Sequence, residues 1–244
     1  MAKELAVVLS SGSLASVVTA SLALQRYRIV LVHIETGSAS ARSGTFDQQV
    51  QHLKPFRAYK LPLPFLSTIT RSDAAPASAD LRSVDPRSSA GVAGRLIDLM
   101  PAVTLGIRVA VHHNANRLFL GTRLGGDSND LARVVEYNQI WSELLALTCD
   151  KPDFDIESPL LELAPWQVVD LGVQIGSPLQ LSWSCYAPSA DPCGKCAGCQ
   201  SRQLAFQRAA KPDPLATAPA SRKQNPNPGE VPLSRTQAAR LRAS

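Results

Sequence analysis

The chain has 244 residues, enough for one sizeable core or for one domain with attachments. Hydrophobic residues make up 45%, which fits a globular protein, and no apolar run reaches the roughly 18 residues of a membrane span. The net charge is +5, but residues 211–244 carry +4 of it and leave about +1 on the remainder, so the charge does not argue for a nucleic-acid surface on the body.

The N-terminal "MAKELAVVLSSG" breaks from a short apolar run into Ser and Gly. It reads as a first strand rather than a secretory signal, which predicts a cytoplasmic protein with free thiols. "LAVVLS" (5–10) is that strand, and Leu14, Val17, Val18 and Leu22 then recur at helical spacing. "RIVLVHIE" (28–35) reads as a second buried strand, and "AYKLPL" (58–63) as a third, weakened by Pro62. A Ser/Asp/Pro/Ala-rich loop (67–89) leads to a helical stretch (91–113) that Pro101 is expected to kink or split. His112 and His113 end that stretch, where imidazole favours the negative end of the helix dipole. "RLFLGT" (117–122) is a fourth strand, and a helix from about 130 to 147 follows, with Ser128 or Asn129 as N-cap. "FDIESPL" (154–160) reads as a fifth strand. A helix then starts near Pro165 and ends before Gly176. Alternating strands and helices, with fully apolar strands, predict a parallel α/β sheet with helices on both faces. His33, inside the second strand, reads as a packed or hydrogen-bonded core residue. Six of the 18 prolines lie beyond Lys211, so a domain over 1–210 and a disordered, basic, Pro-rich tail over 211–244 are expected.

Two stretches carry chemistry. "SSGSLAS" (10–16) joins the first strand to the first helix. A small-residue loop there lets phosphate approach the unpaired N–H groups of a helix N-terminus, and ligands of open α/β sheets bind at the carboxyl ends of strands. Ser10, Ser11, Gly12, Ser13 and Ser16 are the candidate phosphate contacts. Neither Gly-Lys-Ser/Thr nor the spaced-glycine dinucleotide pattern is present, so the stretch alone divides evenly between a phosphate loop and a Ser-rich turn.

"SWSCYAPSADPCGKCAGCQSR" is more specific: Cys185, Cys193, Cys196 and Cys199 form C-x7-C-x2-C-x2-C. Such spacing lets four thiolates converge on one centre, as in a closed structural zinc site, with an iron–sulfur cluster as the alternative. Lys195 and Arg202 are expected to offset thiolate charge. Trp183 and Tyr186 flank Cys185, and could stack on a planar base or pack the module against the sheet.

The loop and the cysteine box together resemble the 7-cyano-7-deazaguanine synthase family of the PP-loop pyrophosphatase group, over about residues 5 to 210. The match is strongest at Ser182 to Tyr186, Cys193 to Cys196, Cys199, Arg202, Ala205 and Phe206. "VAGR" resembles the family's Val-Pro-Gly-Arg segment and makes Arg95 a candidate substrate contact, and "LGTRLGGDS" makes Asp127 another. The resemblance implies an adenine-nucleotide α-hydrolase-like (Rossmann-like) fold with a four-Cys zinc module. It implies ATP, Mg2+, structural Zn2+ and a deazapurine carboxylate converted with ammonia to the amide and nitrile. No single catalytic residue is singled out. Nucleic acid is an expected partner at most for the basic tail, as in an RNA-modifying relative, no membrane partner is expected, and a homodimer stays open.

The departures are specific. The family loop reads Ser-Gly-Gly-x-Asp-Ser, whereas Ser13 stands at the second Gly and Ala15 at the Asp. Pro165 stands where the family has a helix-start Lys; "HIETGSASARSG" lacks the family's Gln-Arg-His run, and "DSNDLARVV" its Asp-Cys-Arg segment. Three readings follow: an active enzyme, a catalytically degenerate relative that binds a nucleotide, a deazapurine or a partner protein, and a PP-loop enzyme acting on RNA.

Overall fold

The computed structural model describes residues 3–35, 41–63, 89–123, 128–149, 151–187 and 191–216. Five strands form one parallel sheet: β1 (Leu5–Leu9), β2 (Arg28–Glu35), β3 (Arg57–Pro62), β4 (Arg117–Leu120) and β5 (Asp155–Glu157), in the spatial order β3-β2-β1-β4-β5. Six α-helices accompany them: α1 (Leu14–Arg26), α2 (Ala41–Leu53), α3 (Ser89–His112), α4 (Ser128–Cys149), α5 (Pro165–Gln174) and α6 (Ala197–Arg208).

The strands alternate between two apolar faces, as the period of an extended chain requires. Val7, Leu9, Val30, Val32, Leu118 and Leu120 meet Val103, Ile107 and Ala110 of α3 and Leu145 of α4. Ala6, Val8, Ile29, Leu31 and Phe119 meet Ala20 and Ala23 of α1 and Phe46 of α2 on the opposite face. Each interior strand is covered on both sides, and this is why it reads as a near-continuous apolar run. A further apolar layer lies outside α1: Val18 and Leu22 pack against Val168, Val169 and Leu171 of α5 and against Ala205 and Phe206 of α6.

The chain winds outward from β1 to β3 and then returns to β4 on the other side of β1. The carboxyl ends of β1 and β4 therefore bracket the switch point, where a crevice forms in such sheets. Gly121, just past β4, lies against the start of α1. A Cβ on Gly121 would sit 2.9 Å from Ser16 N and 3.0 Å from Ser16 Cα.

Several expectations shift. The third strand runs 57–62, the fifth is confined to Asp155–Glu157, and the helix after β4 spans 128–149, with Ser128 and Asn129 inside it rather than capping it. Pro101 does not split α3, which runs unbroken over 24 residues. Proline removes one backbone hydrogen bond, and burial of Val103, Ile107 and Ala110 on the following turns holds the helix through it. α2 and α6 are helices that the periodicity of the sequence does not announce. α5 starts as expected, with Pro165 in its first turn and the Ala164 N–H donating to Gln167 Oε1 at 2.9 Å. It ends at Gly176, whose φ of 67° suits glycine, with Ser177 N donating to Gly172 O at 2.8 Å. Residues 211–216 pack against the body through Asp213 and Leu215, so ordered contacts continue past 210; the tail expected to be disordered lies, from 217 on, outside the described residues. No described helix is long and apolar enough to cross a membrane.

Two glycine substitutions test this packing in opposite directions. Gly121→Ala pushes a methyl into the backbone of Ser16 and should cost about 1–3 kcal/mol in urea unfolding. Gly44 is an exposed α2 residue whose added Cβ meets nothing within 4 Å, so Gly44→Ala should stabilise by roughly 0.5–1 kcal/mol. A neutral Gly121→Ala would contradict the close contact of β4 with α1.

Candidate functional site

The segment after β1 leaves the sheet at Ser10 and must satisfy its polar groups elsewhere. Ser10 N donates to Val32 O at 2.8 Å. The Ser10 carbonyl accepts from His33 Nδ1 at 2.7 Å, which fixes the proton on that ring nitrogen, since a carbonyl only accepts. His33 is thus the hydrogen-bonded core residue expected; it is 5% exposed and stacks on Phe46 of α2, with ring centroids 5.0 Å apart. The Ser10 hydroxyl donates to Gln49 Oε1 at 2.9 Å.

Gly12 turns the chain with φ of 76°. Ser13 then caps α1: its extended backbone aims Oγ at the Ser16 N–H, 3.3 Å away, and Ser16 Oγ donates back to Ser13 O at 2.9 Å. Ser11 is exposed, with its hydroxyl 3.0 Å from Ser13 Oγ, whereas Ser10 and Ser16 are each 2% exposed. The five sequence-predicted residues are therefore together but unequal. The hydroxyls of Ser10, Ser13 and Ser16 serve the loop itself, and that of Ser11 is exposed. Among the described residues, none accepts from the backbone N–H groups of Leu14 and Ala15, which head the helix. Ala15 itself packs on the apolar layer of α1, α5 and α6.

The cysteine module docks directly on this loop. Trp183 N donates to Gly12 O at 2.8 Å, and Trp183 is buried with Cys185 and Cys199. The packing alternative for Trp183 therefore holds, while Tyr186 stays exposed. The four Sγ atoms of Cys185, Cys193, Cys196 and Cys199 lie within 4.8 Å of one another, so the cluster could hold a metal ion. The Cys193–Cys199 and Cys185–Cys196 sulfur separations are 4.0 and 3.9 Å. Tetrahedral thiolates at about 2.3 Å from a central ion stand roughly 3.8 Å apart, so the donor set fits.

Backbone N–H groups ring the sulfurs: Ala187 and Cys193 donate to Cys185, Cys196 to Cys193, and Tyr186 and Cys199 to Cys196, all at 3.3–3.5 Å. The N–H groups of Lys195 and Cys196, with the side chain of Cys185, bring the Cys193 thiol down to about 6. Burial pushes Cys196 up, but the N–H groups of Tyr186 and Cys199 outweigh it and carry it below the ordinary thiol value. Burial pushes Cys199 up to about 12. Four thiolates this close repel one another, and a central cation is what allows all of them to ionise. Gly198, in the first turn of α6, lets that helix abut Ser184, since a Cβ there would overlap the Ser184 carbonyl oxygen.

The charges expected beside the sulfurs are used differently. Lys195 acts on Cys193 through its backbone N–H. Arg202 is 6% exposed and pairs with Asp213, with NH2 2.8 Å and Nε 2.9 Å from the carboxylate oxygens. It also donates to Ser182 Oγ at 2.6 Å and to Leu179 O at 3.2 Å, which clamps the turn leading to Trp183 onto α6. Arg95 lies on α3 with its side chain outside the described residues, and Asp127 lies outside them altogether. Gln49 is not among the sequence-predicted residues. Phe46, Val50 and Leu53, spaced four and three apart, are the trace of the helix that carries it, too sparse in a polar stretch to announce it.

Breaking the Arg202 pair tests this clamp. Arg202→Met leaves the partly buried Asp213 carboxylate without its cation and should cost about 1.5–3 kcal/mol in denaturant unfolding. Adding Asp213→Leu should recover much of that loss. A cost below about 1 kcal/mol for Arg202→Met would mean the pair does not hold the module.

Residues 5–210 match the family described as Queuosine biosynthesis protein QueC. The 7-cyano-7-deazaguanine synthase of a Sulfurovum species is 28% identical over 218 residues, which cover 86% of this chain and 97% of that protein. That of Chloroherpeton thalassium is 29% identical over 220 residues, which cover 86% of this chain and 95% of that protein. Among solved structures, the U34-tRNA thiolase NcsA from Methanococcus maripaludis with its 4Fe-4S cluster overlaps 85% of this chain and 66% of its own at 14% identity and a TM-score of 0.43, too distant a likeness to carry an argument. The match over nearly the whole described body, together with the relatives' near-complete coverage, places this chain in the QueC family of queuosine biosynthesis proteins.

Proposed function

We propose that this chain is an ATP-dependent 7-cyano-7-deazaguanine synthase whose β1–α1 loop holds the nucleotide phosphates. The observation that carries the reading is the junction of that loop with the four-cysteine module, joined by Trp183 N to Gly12 O in a chain of this family. The exposed hydroxyl of Ser11, the capping Ser13 beside it and the N–H groups at the head of α1 form the anion cradle, favoured by the helix dipole. Ser10 and Ser16 hold its shape.

The reaction runs in two activations. The carboxylate of a 7-carboxy-7-deazapurine attacks the α-phosphorus of ATP and releases pyrophosphate. Ammonia displaces AMP to give the amide. The amide oxygen then attacks the α-phosphorus of a second ATP, again releasing pyrophosphate, and loss of AMP and both nitrogen-bound protons leaves the nitrile. Such chemistry depends on stabilising developing charge rather than on a protein nucleophile. Mg2+ accompanies the nucleotide, and Arg95 and Asp127 contact the deazapurine. Zn2+ at Cys185, Cys193, Cys196 and Cys199 is structural: four thiolates close its coordination and leave no position for substrate.

Ala15 favours a second reading. A carboxylate at that position would help organise the metal and pyrophosphate, and a methyl group cannot. On that reading the chain keeps the fold and binds a nucleotide, a deazapurine or a partner protein without turnover.

Incubation with ATP, Mg2+, ammonia and 7-carboxy-7-deazaguanine, followed by mass spectrometry, separates the two. The first reading expects nitrile, with two AMP per nitrile formed. Neither product, with an active relative as control, selects the second, and Ser13→Gly with Ala15→Asp then tests whether the loop is the sole lesion. Metal analysis should give about one zinc per chain, falling by at least half in Cys196→Ser; iron with an iron–sulfur absorption band would overturn the zinc assignment.

A further inference from the structure

Gln49 is a polar side chain with no solvent exposure, on a helix that neither carries the loop nor touches the cysteines. Both ends of its amide are engaged. Oε1 accepts from the Ser10 hydroxyl at 2.9 Å, and Nε2 donates to Leu181 O at 2.6 Å. Leu181 O can only accept, so the amide has one orientation, and Oε1 is the end presented to Ser10. The Ser10 proton is thereby directed away from the loop interior, and a Ser10 lone pair faces Gly12 N, 3.4 Å away. Leu181 ends the turn that leads through Ser182 into Trp183, whose N–H holds Gly12 O. One amide thus ties the first residue of the loop to the segment that grips its third.

We propose that Gln49 is a positioning residue for the β1–α1 loop, orienting Ser10 and fixing the loop against the 179–183 segment so that its N–H groups face a bound phosphate. The inference rests on the reading of that loop as the phosphate site. Burying an amide with both ends engaged costs little, whereas a hydrocarbon in its place strands the Ser10 hydroxyl and the Leu181 carbonyl. Leu at 49 removes both arms. Glu keeps an acceptor for Ser10 but cannot donate to Leu181 O. Ser10→Ala removes the Ser10 arm alone.

The test pairs MgATP titration calorimetry with amide hydrogen exchange on the full-length, metal-loaded protein. Gln49→Leu should weaken MgATP binding about tenfold, the size of one or two lost neutral hydrogen bonds, and Gln49→Glu by less. In a Ser10→Ala background the further effect of Gln49→Leu should fall to about threefold or less. Without nucleotide, exchange of amides 11–16 in Gln49→Leu should rise at least tenfold, while amides 29–32 of β2 stay at the wild-type rate. Unchanged exchange at 11–16, or an equal rise in β2, overturns the proposal, since a residue that only supports global stability would spread its effect over the sheet. Wild-type protein that binds no MgATP but still shows the localised rise in Gln49→Leu overturns the phosphate reading of the loop and leaves the positioning role standing.

Discussion

The organisation of this protein follows from one constraint: where β1 leaves the sheet, its backbone must find partners before α1 begins. Two elements supply them. β2 takes the Ser10 N–H through Val32 O and the Ser10 carbonyl through His33, and the cysteine module takes the Gly12 carbonyl through Trp183. Buried backbone groups are seldom left unpaired, so the position of each of these elements is tied to the loop. Gly121 adds the third wall, because any side chain there would meet the first turn of α1. What results is a rigid turn at the switch point of a parallel sheet, the place where such folds offer helix-terminal N–H groups to a ligand.

The cysteine module is best understood as part of that wall. It brings four sulfurs to one centre, surrounds them with backbone N–H donors, and anchors itself through Arg202 to Asp213, Ser182 and Leu179. The cationic charge of Arg202 is directed at a carboxylate, and the sulfurs are met by backbone N–H groups instead. The same segment that leads into the first cysteine carries the Trp183 N–H to the loop. The module therefore has a structural part to play whatever the turnover: without it, Gly12 O loses its partner.

The sheet was legible in the sequence because its interior strands are buried on both faces and so read as apolar runs, as in "LAVVL" and "RIVLVHIE". The cysteine centre was legible because metal geometry constrains spacing. α2 was not, since Phe46, Val50 and Leu53 are the main apolar positions in a polar stretch that includes Gly44. Gln49 could not be read at all: its partners lie 39 and 132 positions away, and only the fold brings them within reach. Arg202 stands out in the cysteine pattern, but its partner does not, because Asp213 lies in a stretch whose prolines suggest disorder. Arg95 and Asp127 fall outside what the structure describes of side chains, so the substrate end of the site rests on the family resemblance.

The proposal that the loop holds a nucleotide phosphate is the central claim, and backbone amide shifts in 15N-labelled protein titrated with MgATP test it most directly. Saturable shifts at Gly12, Ser13, Leu14, Ala15 and Ser16, with Trp183 moving in step through its bond to Gly12, are the predicted result. Saturable shifts elsewhere, with these amides unmoved, would contradict it.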